Sequence, residues 1–302
     1  MLRLLVITAL VMPGSVCAEF SEPNPELLAY VLQVPATVKN VLIAESDTAT
    51  LHRYRPVQGG VELLDDRYMS VGQDGVGKQR AWDQRTPLGI YFVVDRLDTT
   101  RLHEKYGPAA FPLDYPNAWD DAQARTGDGI WIHGVDARGG QRPPRDTDGC
   151  IALPNDELLA LEEHLQLLWT PVIITRSIRT SPATEIAASR DALAAALDSW
   201  ATSFREGDWH TYLGLYAGTF KYRGLDYEEW SAYRVRSAAT RPVSDFQVDD
   251  VLLLADPEEP GLYLSRFRQT IVDANGKIVT IKRLYWRRSE TGALQIVAED
   301  NG

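Results

Sequence analysis

The sequence predicts a β-rich domain followed by an α+β domain, and three observations carry that expectation. Short β-branched and aromatic runs recur between residues 38 and 176, separated by Gly, Pro, Asp and Ser. The stretch 177–190, Ser-Ile-Arg-Thr-Ser-Pro-Ala-Thr onward, reads as a linker. Beyond it the pattern changes to helical periodicity followed by strand-like runs. A chain of 302 residues accommodates two domains at about 150 residues each.

Taken in order, residues 1–18 read as a secretory signal peptide. Arg3 gives a positive start, Leu4 to Met12 is apolar, Pro13-Gly14-Ser15 breaks the run, and Val16-Cys17-Ala18 offers a cleavage site. The run is too short to span a bilayer, and no later segment qualifies. Residues 19–37 form a short N-terminal extension. In the domain 38–176, Val41 to Ile43 and Leu51 to Tyr54 are expected strands, followed by an apolar stretch from Val61 to Val71. Ile90 to Val94 and Gly129-Ile-Trp-Ile-His-Gly134 read the same way. Between those two runs lie about thirty residues of little periodicity, the length of a functional lid. Leucines at 158, 159, 161, 165 and 168 predict a helix over Asp156 to Leu168, and Pro171 to Ile174 a closing strand. In the domain 191–302, helices are expected over Ala192 to Phe204 and Tyr227 to Ala239. Strands are expected at Phe246–Ala255, Leu262–Val272, Ile278–Arg288 and Leu294–Ala298, with Asn275-Gly276 marking a hairpin.

Composition narrows the function. A balance of 44% hydrophobic and 24% charged residues is globular. With 31 Lys and Arg against 42 Asp and Glu, the charge of −11 argues against nucleic-acid binding, which requires a cationic surface. Two cysteines exclude a disulfide framework and a four-cysteine zinc site, and no metal or other cofactor is expected. Loss of residues 1–18 removes Cys17 and Arg3, leaving a charge of −12 and Cys150 as the sole thiol.

Gly72-Gln-Asp-Gly-Val-Gly77-Lys78 has the glycine spacing of a phosphate-binding loop. Gln79 stands where Ser or Thr should hold magnesium and no helix follows, so a glycine-rich turn is expected instead. The stronger constellation is His133-Gly134 followed by Thr147-Asp148-Gly149-Cys150. A thiol attacks a carbonyl only as thiolate and needs a base beside it. The seventeen positions from His133 to Cys150 let one loop bring two strand ends together. The N–H groups of Gly149 and Cys150 are candidates for an oxyanion hole.

This segment resembles the catalytic domain of the L,D-transpeptidase (YkuD-type) family of peptidoglycan enzymes, which carries His, a gap of this size, and Ser/Thr-x-Gly-Cys. Gly77-Lys78, Asp83, Arg85-Thr-Pro-Leu-Gly-Ile-Tyr91, Phe111-Pro-Leu-Asp-Tyr-Pro-Asn117 and Gly127 to Gly134 extend the match over nearly all of 38–176. The resemblance implies a β-sandwich-like fold with a lid loop and one or two helices. It makes Cys150 the nucleophile and His133 the base, with the Gly134 carbonyl orienting the imidazole and residues 95–128 forming a lid. The implied substrate is a peptidoglycan stem peptide in a groove to which Tyr115, Arg125, Trp131, Thr147 and Asp148 contribute. Arg142 and Arg145 are further candidates for holding carboxylates.

Two departures stand out. Asp148 occupies a position where many members have His or Ser; it is expected as a turn residue whose carboxylate points aside or meets a cation. Ala152 stands where cross-linking members usually have Arg. The C-terminal residues resemble the nuclear-transport-factor-2-like fold, a cone of helices on a bent sheet. Trp200, Trp209, Tyr212, Tyr216, Tyr222, Trp230 and Tyr233 are candidates to line its pocket, with a glycan or peptide as ligand. The order of domains resembles that of L,D-carboxypeptidases that trim peptidoglycan stems in helical Gram-negative bacteria. The expectation is therefore a periplasmic cysteine enzyme releasing D-Ala from tetrapeptide stems. An L,D-transpeptidase using the same acyl-enzyme and a non-catalytic wall-binding scaffold are the alternatives.

Overall fold

The computed structural model describes residues 25–136, 138 and 140–302; the expected signal peptide lies outside the described residues. Strands pack in three main sheets. The first has the order Gly60–Tyr68, Thr50–Val57, Val41–Glu45, Pro171–Thr175, Gly89–Phe92, with only the Val41–Glu45 and Pro171–Thr175 pair parallel. The second is three-stranded: Ile151–Ala152, Trp131–His133, Ala110–Pro112. The third orders Leu294–Asn301, Gly276–Arg288, Leu262–Asp273, Asp245–Ala255 and Val31–Gln33, all antiparallel.

Strand alternation explains how they stack. Leu42 and Ala44 share a core with Tyr91, Phe111, Ile132 and Ile151, so the first sheet packs on the second as a β-sandwich. Val41 and Ile43, one residue out of phase, pack with Ile90, Phe92, Leu252, Leu254 and Leu264. The third sheet thus covers the far face of the first. Its own opposite face, with Leu253, Phe267 and Trp286, is covered by helices α3 (Ala183–Glu206), α4 (Trp209–Gly214) and α5 (Tyr227–Thr240). Val41, Ile43, Ile90 and Phe92 of one domain and Leu252, Leu254 and Leu264 of the other share this core, so each domain buries one sheet face against the other.

Several elements differ from the sequence reading. The stretch 177–190 is not an extended linker. Thr180–Pro182 pairs antiparallel with Glu26–Leu28, and α3 begins at Ala183 directly after Pro182. Proline at a helix start needs no N–H, so the Ser181-Pro182 of the expected linker is a start signal. The N-terminal extension supplies Val31–Gln33 as the edge strand of the C-terminal sheet. The helix predicted to Leu168 is α2 (Asn155–Glu162); Leu168 takes φ +65° and its N–H bonds to the Val93 carbonyl at 2.7 Å. The apolar stretch 61–71 breaks at Met69-Ser70, both fully buried, into Gly60–Tyr68 and Val71–Gly72. Half of the expected lid is core, because Ala110–Pro112 is a sheet strand and Tyr115 and Trp119 are buried. It also holds the short helix α1 (Ala118–Ala122), whose capping box is made by Asn117 and Asp120.

Candidate active site

Parallel pairing brings the two halves of the cysteine–histidine constellation together. Ile151 lies opposite Ile132 and Ala152 opposite His133. Ile132 and Ile151 point into the core, so the two-residue period turns Trp131, His133 and Cys150 to the other face. All three line one open cavity of about 400 Å³, with Lys78, Trp82, Lys105, Tyr106, Asp128 and Arg142 among its other walls.

Glycines shape both ends of the loop that closes the pair. Gly149 has φ +130°, and a Cβ there would stand 2.8 Å from the Arg85 carbonyl oxygen. A Cβ on Gly134 would meet Asn155 Oδ1 and lie 2.8 Å from Pro108 Cδ. Asn155 braces the same corner, accepting from the Val135 N–H at 2.8 Å and donating to the Val135 carbonyl at 2.9 Å.

His133 is 3% exposed, and its Nδ1 lies 2.6 Å from the Gly134 carbonyl oxygen. A carbonyl only accepts, so Nδ1 carries the proton and Nε2 keeps its lone pair. Tyr106 packs edge-on against the ring at 5.0 Å between centroids. Burial pulls the imidazole from 6.5 down to about 4, outweighing the Gly134 bond that favours the cation. The same burial pushes the Cys150 thiol from 9.0 up to about 11. Its Sγ donates to the Gly129 carbonyl at 3.3 Å and also faces the Trp131 backbone N–H. A lowered imidazole and a raised thiol both favour the neutral forms at rest.

The sequence-derived site residues divide into two groups. Cys150, His133, Trp131, Thr147 and Asp148 line the cavity. Arg125 and Tyr115 do not, which corrects their assignment to the groove. Arg125 pairs with Asp120 and Glu259 at 3.0 Å each, between the two domains. Tyr115 is buried in the sandwich, its hydroxyl donating to the Thr126 carbonyl at 3.1 Å. Both sit on the aperiodic stretch, where sequence does not distinguish a wall of the groove from a wall of the interface. Thr147 is committed to the turn: its hydroxyl donates to the Cys150 carbonyl at 2.7 Å and accepts from the Gly149 N–H at 3.1 Å. That bond removes the Gly149 N–H from the expected oxyanion hole and leaves the Cys150 N–H of the pair. Arg145 lies outside the cavity walls, whereas Arg142 is among them.

Asp148 meets a cation, Lys105 Nζ, at 3.1 Å. This pair runs from the stretch 95–128 to the cysteine loop. Burial works against the Lys105 charge, but the Asp148 contact holds its pKa above the usual lysine value. Lys78, buried at the cavity wall, pairs with Asp83 at 2.8 Å. Burial alone would raise the Asp83 carboxyl; N–H donors from Arg80, Gln79 and Arg85 together with Lys78 bring it to about 2. Gly72–Gly77 is a turn, Gly75 N–H bonding back to Gly72 at 2.7 Å. Lys105, Tyr106, Asn155 and Trp82 are not among the site residues that the sequence predicts. Only Asn155, directly after a proline at a helix start, carried a recognisable signal.

A second cavity of about 350 Å³ lies in the C-terminal domain, lined by Tyr222, Trp230, Tyr233, Arg234, Lys282 and Glu299 among others. Trp200, Trp209, Tyr212 and Tyr216 are not on its walls; they form the aromatic core beneath it. Among the described residues no group of three or more His, Cys, Asp or Glu is placed to hold a metal ion, and no helix is long and apolar enough to cross a membrane.

Comparison with known proteins agrees with this architecture. Residues 41–174 match the L,D-transpeptidase catalytic domain of the YkuD family, and residues 192–300 match the Cds6 C-terminal NTF2-like domain. No curated protein matches the chain. Among solved structures, Bd1075 of Bdellovibrio bacteriovorus is similar at 21% identity and a TM-score of 0.73, covering 92% of this chain and 98% of its own. The helical cell shape determining protein Pgp2 of Campylobacter jejuni is similar at 24% identity and a TM-score of 0.73, covering 93% and 96%. The chain thus joins a segment matching the YkuD L,D-transpeptidase catalytic domain, residues 41–174, to a C-terminal segment matching an NTF2-like domain, residues 192–300.

Proposed function

We propose that this protein is a periplasmic L,D-carboxypeptidase that removes D-Ala from the tetrapeptide stems of peptidoglycan. The observation that carries the reading is the placement of Cys150 and His133 in one cavity, with Nδ1 bonded to the Gly134 carbonyl so that Nε2 is the acceptor. Sγ attacks the carbonyl at the L-centre of diaminopimelate while His133 Nε2 takes the thiol proton. The C–N bond to D-Ala then breaks, and His133 returns the proton to the leaving amine. In the second half, water gives a proton to His133 as its oxygen bonds the thioester carbon. The C–S bond breaks and sulfur regains its proton. Lys105 and Arg142 on the cavity wall are suited to the stem's carboxylates.

Hydrolysis is favoured over cross-linking because Ala152 replaces the Arg usual in cross-linking members. An amine from a neighbouring stem would intercept the same thioester and give an L,D-transpeptidase. Export rests on the signal-like residues 1–18 and on the location of the substrate. The C-terminal cavity is the proposed seat of a glycan or peptide segment. Incubation with disaccharide-tetrapeptide followed by mass spectrometry tests the reaction. Tripeptide plus free D-Ala is expected; a stem-to-stem dimer would establish the transpeptidase. Absence of both, with binding retained in Cys150→Ala, would leave a scaffold.

A further inference from the structure

Trp82 is the most exposed large hydrophobic residue described, at 94%, yet it stands on the wall of the catalytic cavity. Its backbone is in the left-handed region, φ +65°, as is that of Gln84 at +55°. A bulky residue adopts that conformation only when its surroundings enforce it. Here they do. Asp83 gathers the N–H groups of Gln79, Arg80 and Arg85 and the Lys78 ammonium, and Thr126 Oγ1 accepts from the Ala81 N–H at 3.2 Å. A tightly fastened loop thus holds an indole in water, packed against nothing.

The position fits the geometry of the substrate. Gly129 offers its carbonyl to the thiol at 3.3 Å, and nothing lies within 4 Å of where its side chain would be. Two residues away, a Cβ on Gly127 would stand 3.1 Å from Ala81 Cα, beside Trp82. Residues 127–129 therefore line the cavity between the sulfur and the tryptophan loop, a separation of at most about 10 Å. Three stem residues separate the scissile carbonyl from the sugar, a span of about 10 Å. The charges sort the two ends. The stem's carboxylates match Lys105 and Arg142, whereas the negative face of an indole attracts polarised C–H groups and disfavours carboxylates.

We propose that Trp82 is a stacking platform for the saccharide that carries the stem, making this a specificity residue for glycan-linked substrate. The assignment rests on the peptidoglycan reading above. The test compares disaccharide-tetrapeptide with free tetrapeptide in wild type, Trp82→Ala and Trp82→Tyr. Trp82→Ala should raise KM about tenfold for the glycan-linked stem and at most about twofold for the free peptide, with kcat changed less than about twofold on either. Trp82→Tyr, which keeps a ring face, should recover most of the loss. Equal loss on both substrates, no loss on either, or failure of tyrosine to rescue would overturn the proposal. Binding of the same two ligands to Cys150→Ala, with and without Trp82→Ala, separates the layers. Glycan-dependent binding through Trp82 in a protein that releases no D-Ala would refute the carboxypeptidase reading and keep the platform.

Discussion

A thiol raised to about 11 beside an imidazole lowered to about 4 has a consequence for reagents that never enter the reaction. Alkylation by iodoacetamide proceeds through the thiolate. Near neutral pH the rise from 9.0 to about 11 cuts the thiolate fraction about 100-fold relative to an ordinary cysteine. Greater basicity makes that thiolate more nucleophilic, and a Brønsted slope of about 0.45 returns roughly eightfold. Cys150 should therefore alkylate about tenfold more slowly than a free cysteine at neutral pH, with a rate rising about tenfold per pH unit towards about 11. The assay uses a chain lacking residues 1–18, in which Cys150 is the sole thiol, and follows the mass of the intact protein. Two substitutions give the sign. Asp148 opposes the thiolate and Lys105 favours it, so Asp148→Asn should accelerate alkylation and Lys105→Ala should slow it. A rate that levels off below pH ~7 would mean a resting thiolate–imidazolium pair and would refute the neutral ground state.

Three more outcomes follow from the same contacts. Because the His133 pKa falls from 6.5 to about 4 on folding, its contribution to stability is present above pH 6.5 and is lost as pH falls towards 4. Urea unfolding should show about 3 kcal/mol of that loss absent from His133→Gln. Arg283 is buried between Asp114 of the catalytic domain and Asp300 of the C-terminal strand, so Arg283→Ala strands two carboxylates. It should cost about 3–5 kcal/mol and lower Tm by roughly 6–20 °C, while Arg283→Met with Asp114→Asn and Asp300→Asn should recover most of it in calorimetry. Gly134→Ala drives a methyl into Asn155 and Pro108 and displaces the carbonyl that orients His133. Turnover should drop about 100-fold with the circular dichroism spectrum unchanged, and a drop under about threefold would show that this carbonyl does not set the ring.

What the sequence made legible was set by local pattern. His133 and Cys150 could be paired because each ends or precedes a short apolar strand, and parallel register does the rest. Four strands of the C-terminal sheet were plain because they run from 8 to 13 residues and the long hairpin turns at a marked site. Arg125 was not legible: a charged residue after an aperiodic stretch looks the same whether it faces a substrate or Glu259 of the other domain. Lys105 and Trp82 were hidden for a related reason, since loops fix side chains through hydrogen bonds that have no period. Val41-Leu42-Ile43 is apolar at every position, and a strand buried on a single face alternates. That run requires a cover on both faces, and the C-terminal sheet is the second cover.

The shared layer changes what the C-terminal domain is. It is not tethered to the catalytic domain by a linker; it completes the catalytic sheet's burial and holds the segment around α1. The Ala118 N–H donates to Asp300 at 3.3 Å, and Trp119 and Arg125 both bond Glu259 at 3.0 Å. The strands that make these contacts alternate. Arg283 and Asp300 face the catalytic domain, while their neighbours Lys282 and Glu299, paired at 2.7 Å, line the C-terminal cavity. Lys282 lies across from Asn301 and Arg283 from Asp300 in the same antiparallel ladder. Two adjacent pairs of this ladder therefore supply a wall of the C-terminal cavity and a clamp on Asp114 and the start of α1 in the catalytic domain. A single β-ladder thus joins the C-terminal cavity to the catalytic domain.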